Sequence, residues 1–107
     1  MNRPPTAPAQ GAAWDVYISL TRGLLPALHD EQIDDAALNT QLDEIAIRIL
    51  RYAPLWAEHG PMLMDALRIA VSLHRAGDRA DLADLLRVMA NRLYVLSAGP
   101  RRDRGTP

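Results

Sequence analysis

Little in this chain carries the chemistry an enzyme needs. Its 107 residues include no cysteine, which removes thiol nucleophiles, disulfides, redox couples and thiolate metal sites together. The three histidines, His29, His59 and His74, are far apart, and none has a second His at i+3 or i+4. That spacing is what places two imidazoles on one helix face around a metal. No His-Glu-x-x-His, glycine-rich phosphate loop or Gly-x-Ser-x-Gly elbow occurs, so neither a metal centre nor an activated serine is expected. The expectation is a non-enzyme that needs no cofactor. His74 shares a line with Leu63, Leu67 and Ala70, where an imidazole is a core or interface group or a pH sensor. Met62 and Met64 could form a soft binding surface or simply fill a core.

Charge is the next handle on partners. All 12 basic residues are arginine, and the formal net charge is -1. The distribution is uneven. Residues 23 to 47 hold Asp30, Glu31, Asp34, Asp35, Asp43 and Glu44 with no base, while residues 48 to 107 hold ten arginines against six acids. Such an acidic stretch repels phosphate and attracts a basic protein surface, or is a solvated helix face. Asp34, Asp35 and Glu44 are the candidate partner-facing acids.

These residues must be positioned by one small domain, the size that 107 residues allow. Residues 1–12 hold three of the eight prolines plus Gly11, and 99–107 are rich in Pro, Gly and Arg. Both read as disordered arms around a single helical domain at 13–98. The start lacks the apolar stretch of a secretory signal, and no run of apolar residues is long enough to span a bilayer. A cytoplasmic protein that does not enter membranes is expected.

The apolar period is helical throughout, which predicts an all-α fold. A first helix is expected over about 13–24, carrying Trp14, Tyr17, Ile18 and Leu24 and broken by Gly23 and Pro26, with Gly23 a candidate left-handed turn residue. A second, over about 31–52, follows Asp30 as N-cap. Its line Leu38, Leu42, Ile45, Ile49, Tyr52 runs at spacings 4, 3, 4, 3, the rhythm of a helix packed along its length on another. Ala46 and Leu50 widen that stripe, and Glu44 with Arg48 makes an i,i+4 pair. The third, about 61–76, opens at Gly60-Pro61 and should end at Gly77, a natural left-handed cap. The fourth, about 79–97, has Asp78 as N-cap and an apolar face of Leu82, Leu85, Leu86, Met89, Leu93 and Leu96.

Apart from a polar strip of Asp65, Arg68, Ser72 and Arg75, the third helix is apolar nearly all round. Such a helix must be covered on several sides. The expectation is a bundle of two to four antiparallel, coiled-coil-like helices completed by homodimerisation, with Leu63, Leu67, Ala70 and His74 at the interface. The third and fourth helices could pass for a helix-turn-helix, but the would-be reading helix opens with Asp78, Asp81 and Asp84, which oppose the phosphate field. Arg101, Arg102 and Arg104 lack the interleaved aromatics of a nucleic-acid patch, so no direct nucleic-acid contact is expected.

The segment Leu20-Thr21-Arg22-Gly23-Leu24-Leu25-Pro26 resembles the stretch before the first long helix in the TraM family of quorum-sensing antiactivators, agreeing at Leu20, Thr21, Arg22, Gly23, Leu24 and Pro26. The order of features over about 15–98 is similar too: an acid-opened long helix, a proline-terminated end at Pro54, a Gly-Pro-opened helix with Leu73-His74, and a leucine-rich last stretch. The chain departs from the family by breaking at Ala76-Gly77-Asp78, where the family resembles one long helix. The resemblance implies a small all-helical homodimer that binds a LuxR-type transcription activator and keeps it off DNA. The alternatives from other classes are a helical DNA-binding or phage-type regulator and a structural assembly subunit.

Overall fold

A computed structural model describes residues 6–98. Among them there are only helices and short connections: α1 (Ala7–Ser19), a π-helical turn (Leu20–Leu24), α2 (Leu25–Leu28), α3 (Asp35–Tyr52), a 3-10 turn (Ala53–Trp56), α4 (His59–Arg75) and α5 (Arg79–Ala98). α1 lies along α5 and against α3, and α4 lies against α5 and α3. The four long helices thus enclose one core, and no helix among the described residues is long and apolar enough to cross a membrane.

The first helix starts earlier than the prolines suggest. Residues 7–12, expected in a disordered arm, are helical, with Ala9, Ala12 and Ala13 buried. Pro8 lies in the first turn, where its missing N–H has no helical acceptor to lose. The Thr6 hydroxyl accepts the Ala9 N–H at 3.2 Å, and the buried Trp56 indole N–H donates to the Ala9 carbonyl at 3.0 Å. Small side chains let α1 approach its neighbours closely, so the segment buries contact area without large residues. The remaining arm residues and the tail with Arg101, Arg102 and Arg104 lie outside the described residues.

Gly23 and Pro26 do not break the chain either. Pro26 has no N–H to offer the Arg22 carbonyl four residues back, and the turn before it widens: the Leu25 N–H bonds to the Leu20 carbonyl five residues back. The Thr21 hydroxyl donates to the Tyr17 carbonyl at 2.8 Å. The wider turn keeps Leu20, Leu24, Ala27 and Leu28 all buried. Gly77 is the glycine with positive φ among the described residues, so the expected left-handed role of Gly23 is not found.

α3 opens at Asp34, not Asp30. Asp34 has extended backbone and its carboxylate accepts the Ala37 N–H at 2.8 Å, whereas Asp30 accepts from Gln32 N in the preceding turn. Leu38, Leu42, Ile45 and Ile49 are buried as their spacing predicts, and Tyr52 is half-buried. Leu50, expected to widen the stripe, is 53% exposed. Arg48 turns to the Ser19 hydroxyl of α1 and forms no ion pair with Glu44.

α4 packs so close to the preceding turn that a Cβ on Gly60 would lie 2.3 Å from the Ala53 carbonyl oxygen. Its end is a Schellman motif at Gly77, φ 75°. The Asp78 N–H bonds to the Leu73 carbonyl and the Gly77 N–H to that of His74, both at 3.0 Å. Asp78 then caps α5, accepting the Asp81 N–H at 3.1 Å. The break between α4 and α5 therefore makes two helices that fold back on each other.

Candidate interaction surfaces

Three of the four residues expected at an oligomer interface are inside the single chain. Leu63, Leu67 and Ala70 are 1%, 6% and 0% exposed, covered by α3 and α5, and only His74 is half-exposed. Four helices from one chain do supply the cover their apolar line needs, so that assignment is corrected. Other large apolar side chains remain outside that cover.

Those side chains are on the outer faces of α4 and α5: Met62 (47% exposed), Ile69 (55%), Val88 (63%) and Val95 (53%). Each pair is seven residues apart, so each forms a line along its helix. The antiparallel return through Gly77 sets the two helices side by side, each with one apolar line outside the core. Sequence reasoning missed Val88 and Val95. Their signal was available: a valine pair at heptad spacing opposite a leucine face already long enough to fill the core. Ile47 (55%) and Leu50 also face out on α3. Leu50 borders a groove of about 460 Å³ with Met64, Val71, Arg68 and Arg75.

The acids gather at one end of the bundle. The Arg79 guanidinium donates to the Ile33 carbonyl at 3.1 Å and meets the Asp35 carboxylate at 3.2 Å, while Arg87 reaches His29 Nε2 at 3.2 Å. These contacts bring the start of α5 beside the start of α3. Asp30, Glu31, Asp34 and Asp35 therefore share a pole with Asp78, Asp81 and Asp84; of these, Asp34, Asp35, Asp78 and Asp81 lie at helix N-termini, where the dipole favours negative charge. Crowding shows at Asp81, whose carboxyl is raised above its usual value, first by its hydrogen bond to Asp78 and then by the charges of Asp78 and Asp84. Of the predicted partner-facing acids, Asp34 is exposed but occupied in capping, Asp35 is exposed with Arg79 as partner, and Glu44 lies exposed further along α3.

The residues matched by the family resemblance form the π turn and the start of α2. Leu20 and Leu24 are buried, Thr21 is tied to the backbone, and Arg22 and Pro26 are exposed. Their observed work is structural. A second aromatic surface lies nearby: Trp14 stacks on Tyr17 at 5.3 Å between ring centres, and Tyr17 meets Tyr94 of α5 at 5.4 Å. Trp14 and Tyr94 wall a cleft of about 510 Å³ floored by Ala7, Gly11 and Ala98.

No three His, Cys, Asp or Glu side chains among the described residues are grouped to hold a metal ion. The chemistry on offer is apolar contact and charge. Comparison with protein-family models, with curated proteins and with solved structures returns no match.

Proposed function

We propose that this protein is a non-enzymatic regulatory binding protein, an antiactivator that works as a homodimer by sequestering a LuxR-type transcription activator and preventing its DNA binding. The observation that carries the reading is a completed core with large apolar side chains left outside it: Met62, Ile69, Val88 and Val95 are each about half exposed although Leu63, Leu67, Leu86 and Leu93 are already covered. Apolar groups in such lines favour macromolecular association. The acidic pole supplies the second half. DNA-binding surfaces are basic, so Asp30, Glu31 and Asp35 would speed encounter with one and then occupy it, while apolar contacts supply the affinity. The Leu20–Pro26 resemblance points to the same class of partner. The same acids oppose a DNA phosphate backbone, which ranks the DNA-binding alternative second.

The test is co-purification with LuxR-type activators, followed by a gel shift of the activator on its operator. Capture and loss of the shifted band are expected, with capture weakened by added salt and by Glu31→Arg with Asp35→Arg. Absence of capture at micromolar protein overturns the proposal.

A further inference from the structure

We infer that the outer face of α5 is covered by α5 of a second copy of this chain, running antiparallel about a twofold axis at Val88. The inference rests on the dimer half of the proposed function and not on capture of an activator. Along this face Asp81, Asp84, Val88, Arg92 and Val95 follow one another at spacings 3, 4, 4 and 3, and all five are exposed. That is one line on the helix, apolar at Val88 and Val95, acidic before the first and basic between the two. Asp84 has a neighbour in Arg87 at 2.9 Å on the exposed surface. Arg92 has no ion pair among the described residues.

Charge selects the register. In an antiparallel pair, residues equally far on either side of the axis meet. With the axis at Val88 the two valines touch, and Asp84 meets the partner's Arg92 twice, once from each side. Val95 falls opposite the partner's Asp81, and Arg92, one turn away on the same chain, reaches that carboxylate from beside it. An axis between Asn91 and Arg92 would stack Val88 on the partner's Val95, but it would set the two Arg92 guanidiniums side by side and carry Asp84 and Asp81 past the described end of the partner's α5. A parallel pair would oppose every charge to its own kind. Like charges facing each other across an interface disfavour both alternatives.

The absence of native cysteine gives a clean measurement. Single variants Val88→Cys, Val95→Cys and Ile47→Cys are oxidised, and their covalent dimers are counted. All three positions are exposed, so folding survives. Val88→Cys is expected to cross-link nearly completely. In this register the two Val95 positions are about 20 Å apart along the paired helices, so Val95→Cys, like Ile47→Cys on α3, should remain monomeric. Sedimentation supplies the second arm. Arg92→Asp should weaken the dimer about tenfold, and adding Asp84→Arg to the same chain should restore it. Three results overturn the inference: a wild-type monomer at micromolar concentration, cross-linking of Val95→Cys or Ile47→Cys in preference to Val88→Cys, or failure of the double reversal to recover. A dimer that meets all these expectations but captures no activator leaves this inference intact and removes the regulator; capture by a monomer does the reverse.

Discussion

α3 and α1 both line the core, yet they fill it in opposite ways. α3 inserts a few large side chains at regular spacing, Leu38, Leu42, Ile45 and Ile49, and leaves most of the rest of its circumference exposed. α1 buries Ala9, Ala12, Ala13 and Val16, lets α5 and α3 come close, and shows Trp14 at 48% exposure on the outside. In the first case stability comes from the volume inserted, in the second from the distance closed. The difference teaches that a buried face need not be the more hydrophobic face: on α1 the large aromatic lies outside and the small residues lie inside.

The two modes should fail in opposite directions. Ile49→Ala removes a fully buried side chain from the α3 stripe and leaves a void, costing about 3–4 kcal/mol. Chemical denaturation should show the loss with little change in the surface exposed on unfolding. Ala13→Leu does the reverse, adding volume where there is none to spare at a residue with 0% exposure. Forcing α1 away from its neighbours should cost about 2–3 kcal/mol. If Ala13→Leu were neutral, α1 would not be closely packed and the contrast would collapse. An unchanged melting temperature on replacing Ile49 would remove the other half of it.

This contrast also explains what the sequence could and could not disclose. Large residues at 4, 3, 4, 3 spacing made α3 legible, and Gly77 with Asp78 made the α4–α5 turn legible, because each signal is local and has one stable outcome. Residues 7–12 were not legible. Pro8 and Gly11 are breakers in isolation, and the groups that hold them in a helix, Trp56 and the α5 surface, are distant in sequence. Asp30 and Asp34 both suit an N-cap, and only the turn at Gln32 and Ile33 decides between them. For the candidate site, the apolar excess of α4 is legible, and the chain itself covers Leu63, Leu67 and Ala70 while leaving Met62 and Ile69 outside. Which of its sides the chain covers by itself depends on where α3 and α5 lie, and neither is written in the α4 pattern: Leu63, Leu67 and Ala70 look available to a second chain, and nothing in that pattern points to Val88 and Val95.

A smaller perturbation tests the fastening that makes α1 possible. Trp56→Phe deletes the indole N–H that satisfies the Ala9 carbonyl and, with it, the pyrrole part of a buried ring. A loss of about 2 kcal/mol is expected from the unpaired carbonyl and the small void together. Amide exchange should quicken first over residues 7–13 and hardly at all within α3, since the lost bond belongs to one region alone. Uniform acceleration across both helices would mean that Trp56 acts as ordinary core filling.

The smallest effect, and the one with the opposite sign, is expected where α1 continues into α2. Glycine looks essential within Leu20–Leu24 only if the chain turns there, and it does not: the backbone stays helical, with Gly77 carrying the positive φ. A Cβ on Gly23 would meet the side-chain oxygen of Gln41 at 3.5 Å, an ordinary contact with the flexible end of a side chain. Gly23→Ala should therefore leave the packing alone and restrict the unfolded chain, raising stability by up to about 1 kcal/mol. Thermal melting decides the point. A drop would show that the widened turn needs glycine for its backbone freedom, and α1 and α2 would then have to be treated as two helices joined by a strained link, not as one limb that bends around Pro26.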